Sequence, residues 1–334
     1  MQTGFTFFDR KSNSHCIVVG DYRGLLQTSM TDAGWFSFLG KLKLGLNIHL
    51  FKKTLSDSQQ HLIKKVTQTF NHRLDGIFIR STDQLQKRWR GVIQSDGQYY
   101  TVKTFQLHED AYHEYTQTKI VEQYFTGPFI VPHVINCQEG ILISQFIAKA
   151  RSIQTDDGVL DRLHHYTHHA IEHAVTSKLA VDFIPLNFPA LFTKLEDTAL
   201  TRFVREWLGE YKTKLPVTPI HGDMTPWNIY VDAQERIVLS NFERSGWHVP
   251  FYDIFHFHLQ TEALFTSKPK SVFKLLEIMP WEDYPWMRVA LALYLVDQLC
   301  CDLTDYHELK YNDPWLEPMI KAKHTWLKEV LTTS

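Results

Sequence analysis

Hydrophobic and polar positions alternate along this chain with two different periods, and the period changes part-way. Between Gly76 and Phe105 the apolar residues come in short runs: Ile77-Phe78-Ile79, Trp89 to Ile93 and Tyr99 to Phe105. Runs of that length, rich in β-branched and aromatic residues, predict strands. Ser95-Asp96-Gly97 is the turn between the last two. A helical stretch, His108 to Phe125, follows and is broken by Pro128 to Pro132. Val134-Ile135 and Ile141 to Ile147 are further strands. Beyond residue 151 the helical period dominates, over Asp161 to Lys178, Phe192 to Tyr211, about Phe257 to Glu277, Pro285 to Thr304 and Trp315 to Leu331. Upstream, Leu62, Ile63, Val66 and Phe70 share one face of a helix over Ser56 to His72, with Ser56 or Asp57 as its cap. Cys16 to Val19 and Asn47 to Phe51 are strand candidates, with the aromatic and lysine-containing GWFSFLGKLKLG between them.

One stretch interrupts the helical half. Val217 to Ile220 is a short apolar run, broken by His221-Gly222-Asp223 and by Pro226. Asn228 opens Ile229-Tyr230-Val231; Asp232 to Glu235 is a polar turn; Ile237-Val238-Leu239 leads to Asn241-Phe242-Glu243. Two β-runs around a polar turn predict a hairpin. Its flanks carry groups suited to a base and to oxygen ligands.

His221-Gly222-Asp223, four residues and then Asn228 resembles the H-G-D-x-x-x-x-N catalytic loop of the aminoglycoside phosphotransferase and choline kinase-like family. That family shares the protein-kinase fold, in which the corresponding loop begins H-R-D. The resemblance covers about residues 76 to 330. It implies an α+β, protein-kinase-like two-lobe fold: a small antiparallel sheet lobe over 76–150 and a larger, mostly helical lobe over 151–334. Residues 1–75 would be an N-terminal accessory segment.

The implied activity is ATP-dependent transfer of the γ-phosphate to a hydroxyl of a small molecule, with ATP and Mg²⁺ as cofactors. A sugar or glycan precursor is the expected acceptor. Asp223 would take the hydroxyl proton and His221 would brace the loop. Lys103 would hold the α/β-phosphates and pair with Glu114, with Glu122 as the fallback. Gln145 and Phe146 fall on the segment where adenine meets backbone. Asp253, in Tyr252-Asp253-Ile254-Phe255-His256-Phe257, matches a buried carboxylate that holds the catalytic loop. Asn228 would be a metal ligand.

Asn241 stands thirteen residues after Asn228, where the family has a metal-binding Asp. Magnesium is a hard ion that dehydrates reluctantly, so losing a carboxylate there weakens the site. Glu243 can compensate if the chain is extended, because residues two apart then point to one side. The alternative reading is a pseudokinase that binds nucleotide or a partner and has lost catalysis.

Composition narrows this picture. The formal net charge is −2, against a nucleic-acid partner, which usually needs a basic face. The four cysteines have no zinc spacing, and a reducing, cytoplasmic setting is expected. No signal peptide or membrane-spanning segment is expected. His165, His169 and His173 repeat every four residues. Without an acidic or cysteine ligand placed with them, a solvated or interdomain helix face is expected rather than a metal site.

Overall fold

The computed structural model describes residues 4–9, 14–20, 55–83, 88–125, 129–147, 151–153, 158–176, 180–181, 202, 206, 215–266, 269–277, 279–308 and 316–332. The expectations for residues 34–51, and for nearly all of 192–211, lie outside them. The chain divides into two units, Met1–Asp157 with Trp227–Arg244, and Gly158–Pro226 with Ser245–Ser334. One crossing therefore falls inside the stretch from Asp223 to Asn228.

The first unit is built on a seven-stranded sheet whose described pairings are all antiparallel. Its order is β1 (Gly4–Asp9), β2 (Ser14–Gly20), β3 (Gly76–Asp83), β4 (Arg88–Ser95), β5 (Gln98–Thr104), β8 (Ile141–Gln145) and β7 (Val134–Gln138). The sheet runs across the boundary expected at residue 76, because Val19 pairs with Ile77 in register. Helix α1 (Asp57–Phe70) covers one face. Ser56 caps it in a reciprocal box with Gln59. Val66 and Phe70 pack on Ile17, Ile77, Ile79, Val102, Ile141 and Ile143.

Strand alternation sends the neighbours of these residues to the other face. There Leu142 packs with Phe105, Val134 and Ala111 of helix α2 (His108–Tyr124). Lys103 is the register partner of Leu142, so the same alternation turns it toward α2. A smaller sheet has the order β6 (Phe129–Ile130), β14 (Ile237–Leu239), β13 (Ile229–Val231) and β9 (Arg151–Ser152).

In the second unit, α3 (Val159–Thr176), α4 (Tyr252–Phe265), α5 (Val272–Leu275), α6 (Met287–Glu308) and α7 (Leu316–Thr332) accompany two strand pairs. These are β10 (Ala180–Val181) with β11 (Leu215–Pro216), and β12 (Thr218–Ile220) with β15 (Gly246–His248). Helices α4, α6 and α7 bury Phe255, Leu259, Tyr294, Leu295, Trp326 and Leu327. Lys323 is fully buried on α7 and satisfied by Asp302 at 2.7 Å and Gln298 at 3.2 Å. A continuous helix over 257–277 does not form. The helix over Tyr252–Phe265 ends short of that; Thr266 is extended, and among the described residues up to Glu277 only Val272–Leu275 resumes. Pro269 stands between the two, where a proline cannot continue a helix because it lacks the backbone donor.

Gly91 is required by close approach. A Cβ there would lie 1.9 Å from the Phe78 carbonyl oxygen and 2.6 Å from Ile79 Cα. Gly91→Ala should therefore lower unfolding stability by about 1–3 kcal/mol through overpacking, read as a reduced urea midpoint; an unchanged midpoint would show that β3 and β4 can separate at no cost.

Candidate functional site

The charged centre of the first unit is Lys103. It is buried, and a buried ammonium is costly unless it is paired and hydrogen-bonded. Its three protons match three oxygens: Glu114 Oε2 at 2.6 Å, Asn241 Oδ1 at 3.0 Å and Glu243 Oε1. Burial is the largest influence on Lys103 and lowers its pKa. Glu114 and Glu243 oppose this and Arg90 adds to it, with a net result below the usual lysine range. Glu122 is engaged elsewhere, with Lys119 and His133.

Lys103 and Glu114 line a cavity of about 250 Å³, together with Arg90, Asn241 and the apolar Val102, Val134, Leu142, Ile147 and Val238. Its size lies near the lower end for small-molecule sites. Gln145 lines it too, while its backbone N–H donates to the His133 carbonyl at 2.8 Å. Phe146 is not among the lining residues. It is buried and packs on Tyr99, with ring centroids 6.1 Å apart. The side chain after Gln145 on an extended segment points to the opposite face.

The hairpin sets the positions of two further residues. Ile229 pairs with Leu239, and the Ser240 N–H donates to the Asn228 carbonyl at 3.0 Å. Buried Asn228 thus stands across from the residue before Asn241, at the hairpin's open end. Asn241 has φ +72°, in the left-handed region that asparagine tolerates better than most residues. The chain at Asn241 is therefore bent, so the condition of an extended chain is not met there. Asn241 and Glu243 nevertheless aim at the same place, because both accept from Lys103 Nζ and Arg90 Nη2. The bend, not strand alternation, brings them together.

The second unit holds the His221-Gly222-Asp223 bend. Gly222 has φ +81°, where glycine carries no Cβ penalty. The backbone N–H groups of His221 and Gly222 donate to the two oxygens of Asp253 at 2.8 and 2.9 Å. Asp253 lies in the first turn of α4, where the helix dipole favours a carboxylate. His221 is fully buried and its Nδ1 accepts the Asp223 N–H at 3.2 Å. The Ser245 hydroxyl donates to its carbonyl at 2.8 Å.

Two residues that the sequence reading passed over join these sites. Arg90 is the first. It follows Arg88 at a spacing of two on β4 and is the register partner of Lys103, a signal visible once the strand pairing is known. The second is His256, fully buried, with Nε2 3.1 Å from Asp223 Oδ1 and Nδ1 3.3 Å from the Tyr294 hydroxyl. In the neutral ring the nitrogen facing the carboxylate carries the proton, and Tyr294 then donates to the other. His165, His169 and His173 lie exposed on α3, and among the described residues no group of His, Cys, Asp and Glu could hold a metal ion.

No family model matches the chain, and no curated protein sequence matches it. Solved structures do. LicA, a choline kinase of Streptococcus pneumoniae, in complex with AMP is 13% identical over 83% of this chain and 99% of that one, with a TM-score of 0.51. The apo form of a thermostable mutant of aminoglycoside phosphotransferase APH(4)-Ia is 12% identical over 78% of this chain and 98% of that one, with a TM-score of 0.51. Amicoumacin kinase hAmiN in complex with AMP-PNP, Ca²⁺ and Ami is 14% identical over 83% of this chain and 93% of that one, also with a TM-score of 0.51. At such identities the likeness establishes the fold. The chain has the α+β, protein-kinase-like fold of these proteins, as the loop motif implied.

Asp253 gives a pH signature. Burial, and then the nearby Asp223, raise its pKa to about 7 against the two backbone hydrogen bonds, which lower it. A carboxyl with a raised folded-state pKa contributes stability below its unfolded value, near 4, and loses it as pH rises through about 7. Between pH 4 and 8 the unfolding midpoint of the wild type should therefore fall relative to that of Asp253→Asn. Parallel curves for the two proteins would refute the assignment.

Proposed function

We propose that this chain is an ATP-dependent phosphotransferase that moves the γ-phosphate to a hydroxyl of a small molecule. The observation that carries the reading is the buried Lys103–Glu114 pair on the wall of a largely apolar cavity. An apolar lining suits a nucleobase, and a paired lysine suits phosphates. LicA and hAmiN were solved with AMP and AMP-PNP respectively, which supports a nucleotide here.

Asp223 is the proposed base. Its backbone is held on a loop whose neighbouring N–H groups are anchored by Asp253, and its carboxylate is met by His256. In the transfer, the acceptor hydroxyl gives its proton to Asp223 as the new O–P bond forms. The bond from the γ-phosphorus to the bridging oxygen breaks, and ADP leaves. Positioning and charge neutralisation supply most of the acceleration in such reactions. The acceptor class in this reading is a hydroxyl-bearing small molecule, with sugars and glycan precursors as the first panel.

Magnesium, when bound in such enzymes, neutralises phosphate charge and aligns the transferring group. Asn241 and Glu243 offer oxygens, the right donor type. However, Asn241 Oδ1 already accepts from two cations, Arg90 Nη2 at 2.8 Å and Lys103 Nζ at 3.0 Å. An amide oxygen has two lone pairs, so this residue fits a magnesium ion poorly. The same observation favours a second reading, in which the nucleotide site is kept and transfer is lost.

ADP release with a panel of alcohols and sugars tests the first reading. Asp223→Ala should reduce turnover by about 10²–10⁴-fold while ATP affinity stays close to that of the wild type. Nucleotide binding with no turnover across the panel would instead support the second reading.

A further inference from the structure

We infer that Arg90 and Lys103 together hold the nucleotide's phosphates, so that ATP binds this chain without a divalent cation. The inference rests on reading the cavity as a nucleotide site, and it holds whether or not transfer occurs there.

The strand register is the first argument. Arg90 on β4 and Lys103 on β5 are directly opposite in an antiparallel pair, so both side chains leave the sheet on one face. Like charges placed this way destabilise a sheet unless anions stand between them. Here the anions are Glu114 on Lys103 and Glu243 on both cations. A doubled cation at the wall of a cavity is an arrangement suited to a polyanion.

Charge counting is the second argument. Two cations and two carboxylates leave the cluster with no excess negative charge to draw in a divalent ion. An aspartate at 241 would supply that excess, whereas the asparagine does not. Its single side-chain oxygen instead bridges Arg90 and Lys103. A neutral acceptor at this point lets the two cations share one oxygen without adding a third negative charge, so the cluster becomes net positive once Glu243 is displaced.

Arg90 also carries an unused donor. Arg90 Nε is buried and meets no acceptor among the described residues, while Nη2 serves Asn241 and Glu243. Nε and an Nη form the fork with which guanidinium grips phosphate through two parallel bonds. Glu243 is the group such a phosphate would displace. Its side chain is 22% exposed, against 5% for Glu114. Glu243 is then a resident counter-ion of the phosphate position rather than a metal ligand.

Calorimetric titration of the full chain with ATP, in EDTA and in Mg²⁺, tests this. The wild type should bind in EDTA with a Kd within about threefold of that in Mg²⁺. Arg90→Gln should weaken binding in EDTA by about tenfold or more, and Arg90→Lys by less. Asn241→Asp should make binding depend on Mg²⁺. Glu243→Gln should tighten binding in EDTA; weaker binding in Mg²⁺ with no change in EDTA would mark Glu243 as a metal ligand and overturn its role here. Circular dichroism of each variant separates lost folding from lost contacts, and Arg90→Lys keeps a cation should Arg90→Gln fail to fold. A wild type that binds ATP only with Mg²⁺ overturns the inference while leaving the cavity a nucleotide site. A wild type that binds ATP under neither condition overturns the nucleotide reading itself, and this inference with it.

Discussion

A lysine ammonium taken out of water is the constraint around which the first unit is arranged. Lys103 sits near the end of β5, on the face that strand alternation turns away from α1 and toward α2. Once there it must be met by acceptors, since an unpaired buried charge would outweigh much of a domain's net stability. Glu114 is supplied from α2, while Asn241 and Glu243 come from the chain beyond the β13–β14 hairpin. Distant segments are thereby tied to one nitrogen. Their order in the chain explains why Trp227–Arg244 belongs to a unit otherwise drawn from the first 157 residues.

A buried carboxyl group organises the other unit. Asp253 accepts from two consecutive backbone N–H groups at the His221-Gly222 bend. Glycine at φ +81° makes that bend accessible. The arrangement continues inward from Asp223 through His256 to Tyr294. Tyr252 stacks on His256 and donates to Asp297 at 2.5 Å, and Gln298 donates to Tyr252 at 2.7 Å. Polar groups this deep are tolerated because each finds a partner, and such connected networks hold side chains in one orientation.

The two units also differ in electrostatic character. The cavity of the first is balanced, with cations and carboxylates equal in number around Asn241. An aspartate at residue 241 would leave this cluster with one more carboxylate than cations. The same cluster explains how an asparagine can occupy a bent, left-handed position and still contribute an acceptor to two donors.

Much of this was legible in the chain itself. Short apolar runs with turn residues between them identified the strands from Gly76 to Thr104 and the 229–239 hairpin, because a two-residue period and Gly, Asp or Pro punctuation are local properties. The His221-Gly222-Asp223 and Asn228 spacing pointed to the protein-kinase-like fold for the same reason. Strand β1 was not anticipated, the helix expected over 257–277 proved discontinuous at Pro269, and Phe146 faces away from the cavity. Arg90 and His256 were invisible as functional residues: one becomes a partner of Lys103 only through the β4–β5 register, the other meets Asp223 only through the packing of α4. Sequence determined which residues could bear charge and where the backbone would bend. Tertiary structure alone decided which charges would meet, because that depends on register and helix docking between segments as many as 153 positions apart, as with Arg90 and Glu243, and no local pattern encodes such a distance.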